Sequence, residues 1–387
     1  MNERLKLWLL GLLPLALLGG LSVLVMQTGI IDFLRRGVPP VEELTVDRVT
    51  LAPNQIRLEV VNGGPDPVTV AQVTVDDAFW DFTIHPSPTI RRLGRATIEI
   101  PYPWVQDEPY QINLLSSTGL TFSHEIALAT LTPPAGPRLF AVFILIGVYV
   151  GVIPVAIGLL WYPLLRRLGR RWVHFALALT AGLLIFLGAD AVHEALEAAE
   201  LVAGAFQGVL LVVIGGLGSL LLLQMVSRRR VQHAGPEGRW AVAFLIALGI
   251  GLHNFGEGLA IGAAYALGEA ALGAFLMIGF MIHNTTEGLG IVAPIAKDAP
   301  RVRALAGLGL LAGAPTILGA AIGGLAYSPL YATLFLAVGA GAIAQVVIAL
   351  FKVVSRETEG AVWNPATAGG VLAGLVIMYG TGLLVAV

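Results

Sequence analysis

The strongest constraint on this chain is a series of eight apolar segments that occupies nearly everything after residue 138. Their limits are 139–165, 172–199, 204–226, 239–266, 271–296, 303–326, 330–352 and 366–386. Each is as long as the ~20 apolar residues that a membrane-spanning helix needs. Charged residues make up 12% of the chain, whereas soluble domains contain about 25%. The sequence therefore predicts an all-α polytopic membrane bundle of eight helices over residues 138–387.

The connections between these segments alternate in charge. The basic connections contain Arg166, Arg167, Arg170 and Arg171; Arg228, Arg229, Arg230 and Arg239; Lys297, Arg301 and Arg303; and Lys352 and Arg356. The other connections, near 200–203, 267–270 and 327–329, contain no lysine or arginine. Cytoplasmic loops of membrane proteins carry an excess of basic residues. We therefore expect an integral protein of the cell membrane with its basic loops on the cytoplasmic side and its C-terminus outside the cytoplasm.

The first 27 residues predict a further membrane segment. Arg4 and Lys6 precede a continuous apolar run from Leu7 to Met26. Such a run is typical of a transmembrane anchor or of a signal peptide. A convincing small-residue cleavage site does not follow it, which favours an uncleaved anchor, although cleavage stays open. Either interpretation places the following residues outside the cytoplasm.

Residues 40–132 have a different pattern, in which apolar and polar residues alternate. The stretches Gln55–Val61, Pro67–Val75 and Arg95–Ile100 alternate in this way, with turn residues between them. Alternation with a period of two predicts half-buried strands, and several short strands at this spacing are typical of a sandwich. We expect a small all-β, immunoglobulin-like domain outside the cytoplasm.

Composition restricts the partners that the chain can have. A formal net charge of -2 gives no indication of a nucleic-acid partner. The chain contains no cysteine, which excludes disulfides and thiolate metal sites. Any metal ligand must therefore be histidine, carboxylate, amide or water, and these ligands favour zinc, manganese or iron over Cu(I).

One motif, His-Asn-x-x-Glu-Gly-Leu, occurs twice, at residues 253–259 and 283–289. His253 lies fourteen residues after Arg239, and His283 lies twelve residues after Ala271. At about 1.5 Å per residue, both histidines are ~18–21 Å along their helices and thus near the middle of the membrane. Ionisable residues at this depth are costly, so they indicate a functional site.

The spacing within each motif places its polar groups on one side of a helix. Residues four apart share a helix face, so we expect His253 to pair with Glu257 and His283 with Glu287. Two antiparallel helices would then direct two imidazoles, two carboxylates and two amides to one place. The predicted metal ligands are His253, Asn254, Glu257, His283, Asn284 and Glu287. The alternative is that each histidine only hydrogen-bonds its own glutamate and hides its charge.

A related cluster lies in the second segment. It consists of Asp190, His193, Glu194 and Glu197. By the predicted topology, this cluster is nearer the outer end of its helix than the two motifs are. We expect an entrance that attracts cations or a secondary metal site, and the alternative is an ordinary solvated helix end.

These motifs resemble those of the ZIP (Zrt/Irt-like) family of divalent metal transporters. The resemblance covers residues 138–387, with the motif in the fourth and fifth segments and His193-x-x-x-Glu197 in the second. It implies a binuclear metal centre at the six motif residues. It also implies movement of cations into the cytoplasm by alternating access between two groups of helices.

The chain departs from the family pattern at several positions. Gly256 and Thr286 stand where family members usually have proline, and Thr316 and Gln345 stand in helices that often carry acidic residues. An external β domain is not associated with the core family. These departures lead us to expect one strong metal site and a weaker or missing second site.

The sequence thus predicts a transporter of divalent metal, with Zn²⁺ first and manganese or iron as alternatives, and not an enzyme. The metal is the cargo, and no cofactor is expected. We expect membrane lipid around the bundle, and the glycine-rich helices are compatible with a homodimer; a partner for the β domain is also open. Two other functions stay open, namely an intramembrane metal-dependent hydrolase and a metal sensor or receptor that does not transport.

Overall fold

The structure is a computed structural model that describes residues 3–28, 39–134, 136–230, 235–266, 270–358 and 360–385. The chain divides into two compact units, residues 1–41 and residues 42–387. In the first unit, helix α1 (Glu3–Gln27) covers the predicted anchor. The second unit contains a β domain followed by a helical bundle.

The β domain has nine strands in two antiparallel sheets. The strands are β1 (Leu44–Ala52), β2 (Gln55–Asn62), β3 (Val68–Val75), β4 (Ala78–Trp80), β5 (Thr83–His85), β6 (Thr89–Ile90), β7 (Arg95–Ile100), β8 (Tyr110–Ser116) and β9 (Thr121–Ile126). One sheet has the order β1-β2-β7-β5, and the other has β4-β3-β8-β9 with β6 beside β3. One sheet thus has four strands and the other has five. The prediction of a small all-β domain of antiparallel strands is confirmed.

The alternation in the sequence matches the two faces of these strands. In β2, Ile56, Leu58 and Val60 are fully buried, whereas Arg57 and Glu59 between them are exposed. The buried residues join a core that contains side chains from both sheets. Successive side chains of a strand point to opposite faces, so this pattern fixes which face is packed.

The bundle has eleven helices among the described residues. They are α2 (Pro137–Gly147), α3 (Ile153–Leu159), α4 (Tyr162–Arg167), α5 (Arg170–Glu200), α6 (Gly208–Arg230), α7 (Pro236–Ala266), α8 (Ala270–Val292), α9 (Val302–Gly313), α10 (Pro315–Ala326), α11 (Pro329–Glu357) and α12 (Pro365–Val385). A π-helical turn, Val148–Val152, joins α2 to α3.

Six helical stretches in the described part of the chain are long and apolar enough to cross a membrane. They are Pro137–Arg167, Arg170–Glu200, Gly204–Ser227, Pro236–Tyr265, Val302–Ala326 and Pro329–Arg356. Helices α8 and α12 cover the predicted fifth and eighth segments. The predicted connection near 267–270 lies mostly outside the described residues. The helical, membrane-compatible character of the bundle is confirmed, and the number of eight spans stays a prediction.

The first and sixth segments, which the sequence predicts as continuous, are interrupted. The first contains the π-helical turn before Pro154 and a second turn at Leu160 and Trp161. The sixth is divided between α9, which ends at Gly313, and α10, which begins at Pro315. Proline cannot donate a backbone N–H and its ring crowds the preceding turn, so a helix kinks or restarts there.

The helices of the bundle pack in two groups. One group contains α2, α3, α7, α8, α9 and α10, and the other contains α5, α6, α11 and α12. The groups meet mainly where α11 packs along α7, with further contacts of α8 to α5 and α12. The paired motifs therefore belong to the first group and the second-segment cluster belongs to the second.

Several of the basic connections lie together at one end of the bundle. Lys297 Nζ donates hydrogen bonds to the carbonyl oxygens of Arg166 and Leu168, at 2.8 and 2.7 Å. Arg239 forms an ion pair with Asp298, in which Nε lies 2.9 Å from Oδ2. These contacts link three segments that the charge pattern places on the cytoplasmic side, and the side itself stays a prediction.

Gly319 allows α10 to lie directly against α7. A Cβ atom at this position would overlap the carbonyl oxygen of Phe255 and would come within 2.9 Å of the backbone nitrogen of Leu259. We expect Gly319→Ala to destabilise the bundle by about 1–3 kcal/mol, because overpacking moves the backbone. The midpoint of thermal unfolding in detergent measures this.

Gly218→Ala is the matched control. A Cβ atom on Gly218 would meet nothing within 4 Å, and alanine is the better helix former. The midpoint should stay the same or rise. An equal fall in both variants would contradict close packing at Gly319.

Candidate metal centre

The six predicted ligands lie together where α7 and α8 pack against each other. All six residues are buried, with at most 7% of the residue surface exposed: His253, Asn254, Glu257, His283, Asn284 and Glu287. Helical spacing explains the local arrangement, since each motif turns its histidine and its glutamate to one face of its helix. The antiparallel pairing of the two helices then brings both faces together.

The Glu257 carboxylate joins the two copies of the motif. Its Oε1 lies 3.0 Å from His253 Nε2 and also contacts Nε2 of His283 on the other helix. Its Oε2 accepts a hydrogen bond of 3.1 Å from Asn284 Nδ2. One ligand atom each from His253, Glu257 and His283 lies within 4.8 Å of the others. Two imidazole nitrogens and one carboxylate oxygen at this spacing could hold a single divalent cation.

Glu287 has a different environment, and its expected pairing with His283 is not seen. The crossing of the helices places Glu257 opposite His283, so the imidazole turns to the neighbouring helix instead of to its own. Among the described residues, neither oxygen of Glu287 has a hydrogen-bond partner. The two copies of the motif are therefore not equivalent.

Both asparagines use their amide nitrogens to hold neighbouring helices. Asn284 Nδ2 donates to the carbonyl oxygen of Val150 at 3.0 Å, and Asn254 Nδ2 donates to that of Ala312 at 3.2 Å. Pro154 cannot supply the usual α-helical donor to Val150, so the carbonyl is open to a side chain. The sequence analysis predicts these asparagines as metal ligands but not their hydrogen bonds to backbone carbonyls. Pro154 is the one signal in the sequence for the bond to Val150, because it marks a carbonyl without its helical donor.

The amide oxygens of the same two residues are unpaired within the described residues. Asn254 Oδ1 and Asn284 Oδ1 are both buried, and neither has a hydrogen-bond partner in the described part of the chain. The assignment of nitrogen and oxygen follows from chemistry, because only the NH₂ group can donate to a carbonyl. Both oxygens are thus buried acceptors without a hydrogen bond in that part of the chain, whereas the atom of Asn284 that meets the Glu257 carboxylate is its amide nitrogen.

Three of the four positions that depart from the ZIP pattern carry neutral polar side chains. Thr286 donates its hydroxyl to the His283 carbonyl oxygen at 2.6 Å, within the turn where the resemblance would place a proline. Thr316 and Gln345 are buried, and Thr316 Oγ1 and both amide atoms of Gln345 have no hydrogen-bond partner among the described residues. These groups supply no negative charge, so Glu257 and Glu287 are the two carboxylates of the candidate site.

The second-segment cluster separates into two pairs on different sides of α5. Asp190 and Glu194 line a cavity of about 110 Å³ that also reaches His283. His193 and Glu197 form an ion pair of 3.2 Å on the surface, with side chains that are 70% and 64% exposed. The sequence grouped all four residues, whereas only the first pair shares a cavity with a motif residue.

The arrangement can bind a cation of borderline softness. It offers two imidazole nitrogens, two carboxylates and two amide oxygens in a site that excludes bulk water, and such nitrogen and oxygen donors suit zinc and its neighbours. The two carboxylates would also balance the charge of a dication, which lowers the cost of its burial.

The central position of Glu257 predicts unequal effects of the two glutamates on metal affinity. We expect Glu257→Gln to weaken Zn²⁺ binding at least about 10-fold, since even the outer partners of metal ligands are worth 10–100-fold. Glu287→Gln should weaken binding less, because Glu287 contacts neither histidine. Calorimetric titration of the purified protein with Zn²⁺ measures both affinities.

Glu237→Gln is the control for that titration. It makes the same chemical change on α7, at an exposed position near the start of the helix, and should leave the affinity unchanged. Equal losses for Glu257→Gln and Glu287→Gln would show that the two motifs contribute symmetrically, against the geometry.

Comparison with known proteins does not identify the chain. No protein-family model and no curated protein matches it. Among solved structures, it is similar to the archaellum periplasmic stator protein FlaG from Sulfolobus acidocaldarius, at 16% sequence identity over 22% of this chain and 99% of that chain. The TM-score is 0.20, and a likeness this low supports no conclusion about fold or function.

Proposed function

We propose that this protein is a ZIP-like transporter that moves a divalent metal cation, Zn²⁺ first, across the membrane into the cytoplasm. The observation that carries the proposal is the convergence of His253 and His283, from two antiparallel helices, on the Glu257 carboxylate. This cluster is buried in a bundle in which six helical stretches of the described residues are long and apolar enough to span a membrane.

The donor set suits a cargo rather than a permanently held ion. A structural zinc site is usually closed by four strong ligands, often thiolates. Here the strong ligands are two histidines and Glu257, while Glu287 and the two amide oxygens are available as weaker donors. Transport requires binding that is favourable enough for entry and weak enough for release.

The cavity beside α5 supports a route to the cluster. Asp190 and Glu194 line it at one side, and His283 lines it at the other. Carboxylates at the mouth of such a cavity attract cations and raise their local concentration. By the predicted topology this cavity opens toward the outer side, which agrees with movement into the cell.

The two groups of helices supply the parts that alternating access needs. The motif residues lie on α7 and α8 in the first group, and Asp190 and Glu194 lie on α5 in the second. A displacement of one group against the other would carry the bound cation away from the outer carboxylates. The anchoring of both asparagines to carbonyls of the first group would keep the ligands together during this movement.

Uptake of Zn²⁺ into reconstituted vesicles tests the proposal. We expect the wild-type protein to mediate uptake that the double variant Glu257→Gln with Glu287→Gln abolishes, because no carboxylate then balances the dication. Glu237→Gln should transport at the wild-type rate. Uptake that survives in the double variant would exclude this site as the route.

The same experiment separates the two alternatives. Zn²⁺ binding without uptake in wild-type vesicles would contradict transport and favour a sensor or receptor. Hydrolysis of lipid or peptide by the purified protein, again without uptake, would favour the hydrolase.

The two pairs on α5 give a second prediction. Asp190→Asn with Glu194→Gln should raise the KM for uptake several-fold and leave kcat nearly unchanged, because the pair gathers cations without belonging to the cluster. His193→Gln with Glu197→Gln, on the exposed side of the same helix, should change neither constant. The dependence of the initial uptake rate on Zn²⁺ concentration measures both, and equal effects would contradict the cavity as the route.

A further inference from the structure

Two side chains at one edge strand of the β domain form hydrogen bonds with the bundle. Strand β1 lies at the edge of its sheet, and Glu43 immediately precedes it. Arg48 lies within β1, next to an irregularity in the pairing with β2 between Val46 and Arg48. A bulge of this kind redirects a side chain, and here both Glu43 and Arg48 reach the bundle.

The first contact is with the connection between α5 and α6. Glu43 Oε1 accepts a hydrogen bond of 2.6 Å from the backbone nitrogen of Gly204. Gly63, whose own nitrogen donates to the Glu43 carbonyl oxygen at 3.2 Å, lies so close to Ala203 that a Cβ on it would be 2.9 Å from the Ala203 Cβ. The contact combines a charge-assisted hydrogen bond with close packing, and Ala203 is buried.

The second contact is with the last turn of α10. Arg48 Nη1 donates a hydrogen bond of 3.2 Å to the carbonyl oxygen of Leu325. A cation at the C-terminal end of a helix interacts favourably with the open carbonyl groups there. This contact is one hydrogen bond at the end of a long side chain, so it is easier to break than the first.

These two contacts are on different groups of helices. Gly204 connects α5 to α6 in the second group, and Leu325 belongs to α10 in the first group. We infer that the β domain, fixed to the second group through Glu43, restrains the first group through Arg48 and thereby limits relative movement of the two groups. Only the effect of this restraint on uptake rests on the proposed transport function. The restraint itself depends on the two contacts between the β domain and the bundle.

A distance measurement tests the restraint without any transport. The chain has no cysteine, so Glu200→Cys on α5 and Ile322→Cys on α10 can carry two spin labels, both at exposed positions. Pulsed electron resonance should give one narrow distance distribution. Adding Arg48→Met should broaden it or add a second distance, and Arg48→Lys, which keeps a donor, should largely restore it.

Arg57→Met is the matched control in the same domain. Arg57 pairs with Glu99 at 2.9 Å on the sandwich surface, and its loss should leave the distribution unchanged. Identical distance distributions for the spin-labelled protein with Arg48 and for the same protein with Arg48→Met would overturn the inference. A change with Arg57→Met equal to that with Arg48→Met would also overturn it, because the effect would then be a general loss of stability.

Reversible cross-linking tests the functional consequence. In the double variant Arg48→Cys with Leu325→Cys, uptake before cross-linking should exceed the wild-type rate, because the hydrogen bond of the Arg48 guanidinium has been removed. Cross-linking the two cysteines with a bifunctional thiosulfonate should lower Zn²⁺ uptake at least about tenfold. A reductant should then restore uptake. The pair Glu43→Cys with Gly204→Cys joins the β domain to the second group alone, and cross-linking it should change uptake by less than about twofold.

The two failures can be told apart. Absence of uptake in wild-type vesicles would contradict transport and leave the distance measurement to decide the restraint. Uptake that is unchanged by cross-linking Arg48→Cys to Leu325→Cys would overturn the restraint and leave transport standing.

Discussion

The contacts of the Glu257 carboxylate with side chains of two helices are the interaction on which the arrangement of the bundle depends. The carboxylate accepts polar contacts from both histidines and from Asn284, and this joins α7 to α8 at a depth where water cannot satisfy polar groups. A buried ionised carboxylate is costly unless it is paired and hydrogen-bonded. Helices α7 and α8 must therefore keep the relative position in which the two histidines and Asn284 contact Glu257. The surrounding helices pack against this pair.

Much of the architecture could be predicted because its signals are local. The length of the apolar segments indicates helices, and the alternation in residues such as Ile56, Arg57 and Leu58 indicates strands with one buried face. The interruptions were less visible, although Pro154 and Pro315 mark both of them. Their effect depends on which neighbouring side chain replaces the lost backbone hydrogen bond, and a single segment does not contain that information.

The sequence predicts which residues meet at the candidate site but not which of them contact each other. The repeated motif identified six residues that do lie together and are buried. It could not indicate that His283 turns to Glu257, because the choice of carboxylate depends on how the two helices cross. Likewise, spacing alone grouped His193 with Glu197, whereas the orientation of α5 places Asp190 and Glu194 on the cavity.

Pro154 shows how a residue without a polar side chain can orient a polar group of the candidate site. Its ring nitrogen carries no hydrogen, and the carbonyl of Val150 is consequently shared with Asn284 on another helix. The amide of Asn284 is thereby oriented, and its nitrogen also donates a hydrogen bond to the Glu257 carboxylate. An apolar imino acid in the first segment thus influences, through Asn284, the polar surroundings of Glu257. Searches for site residues that consider only histidines, carboxylates and amides would overlook it.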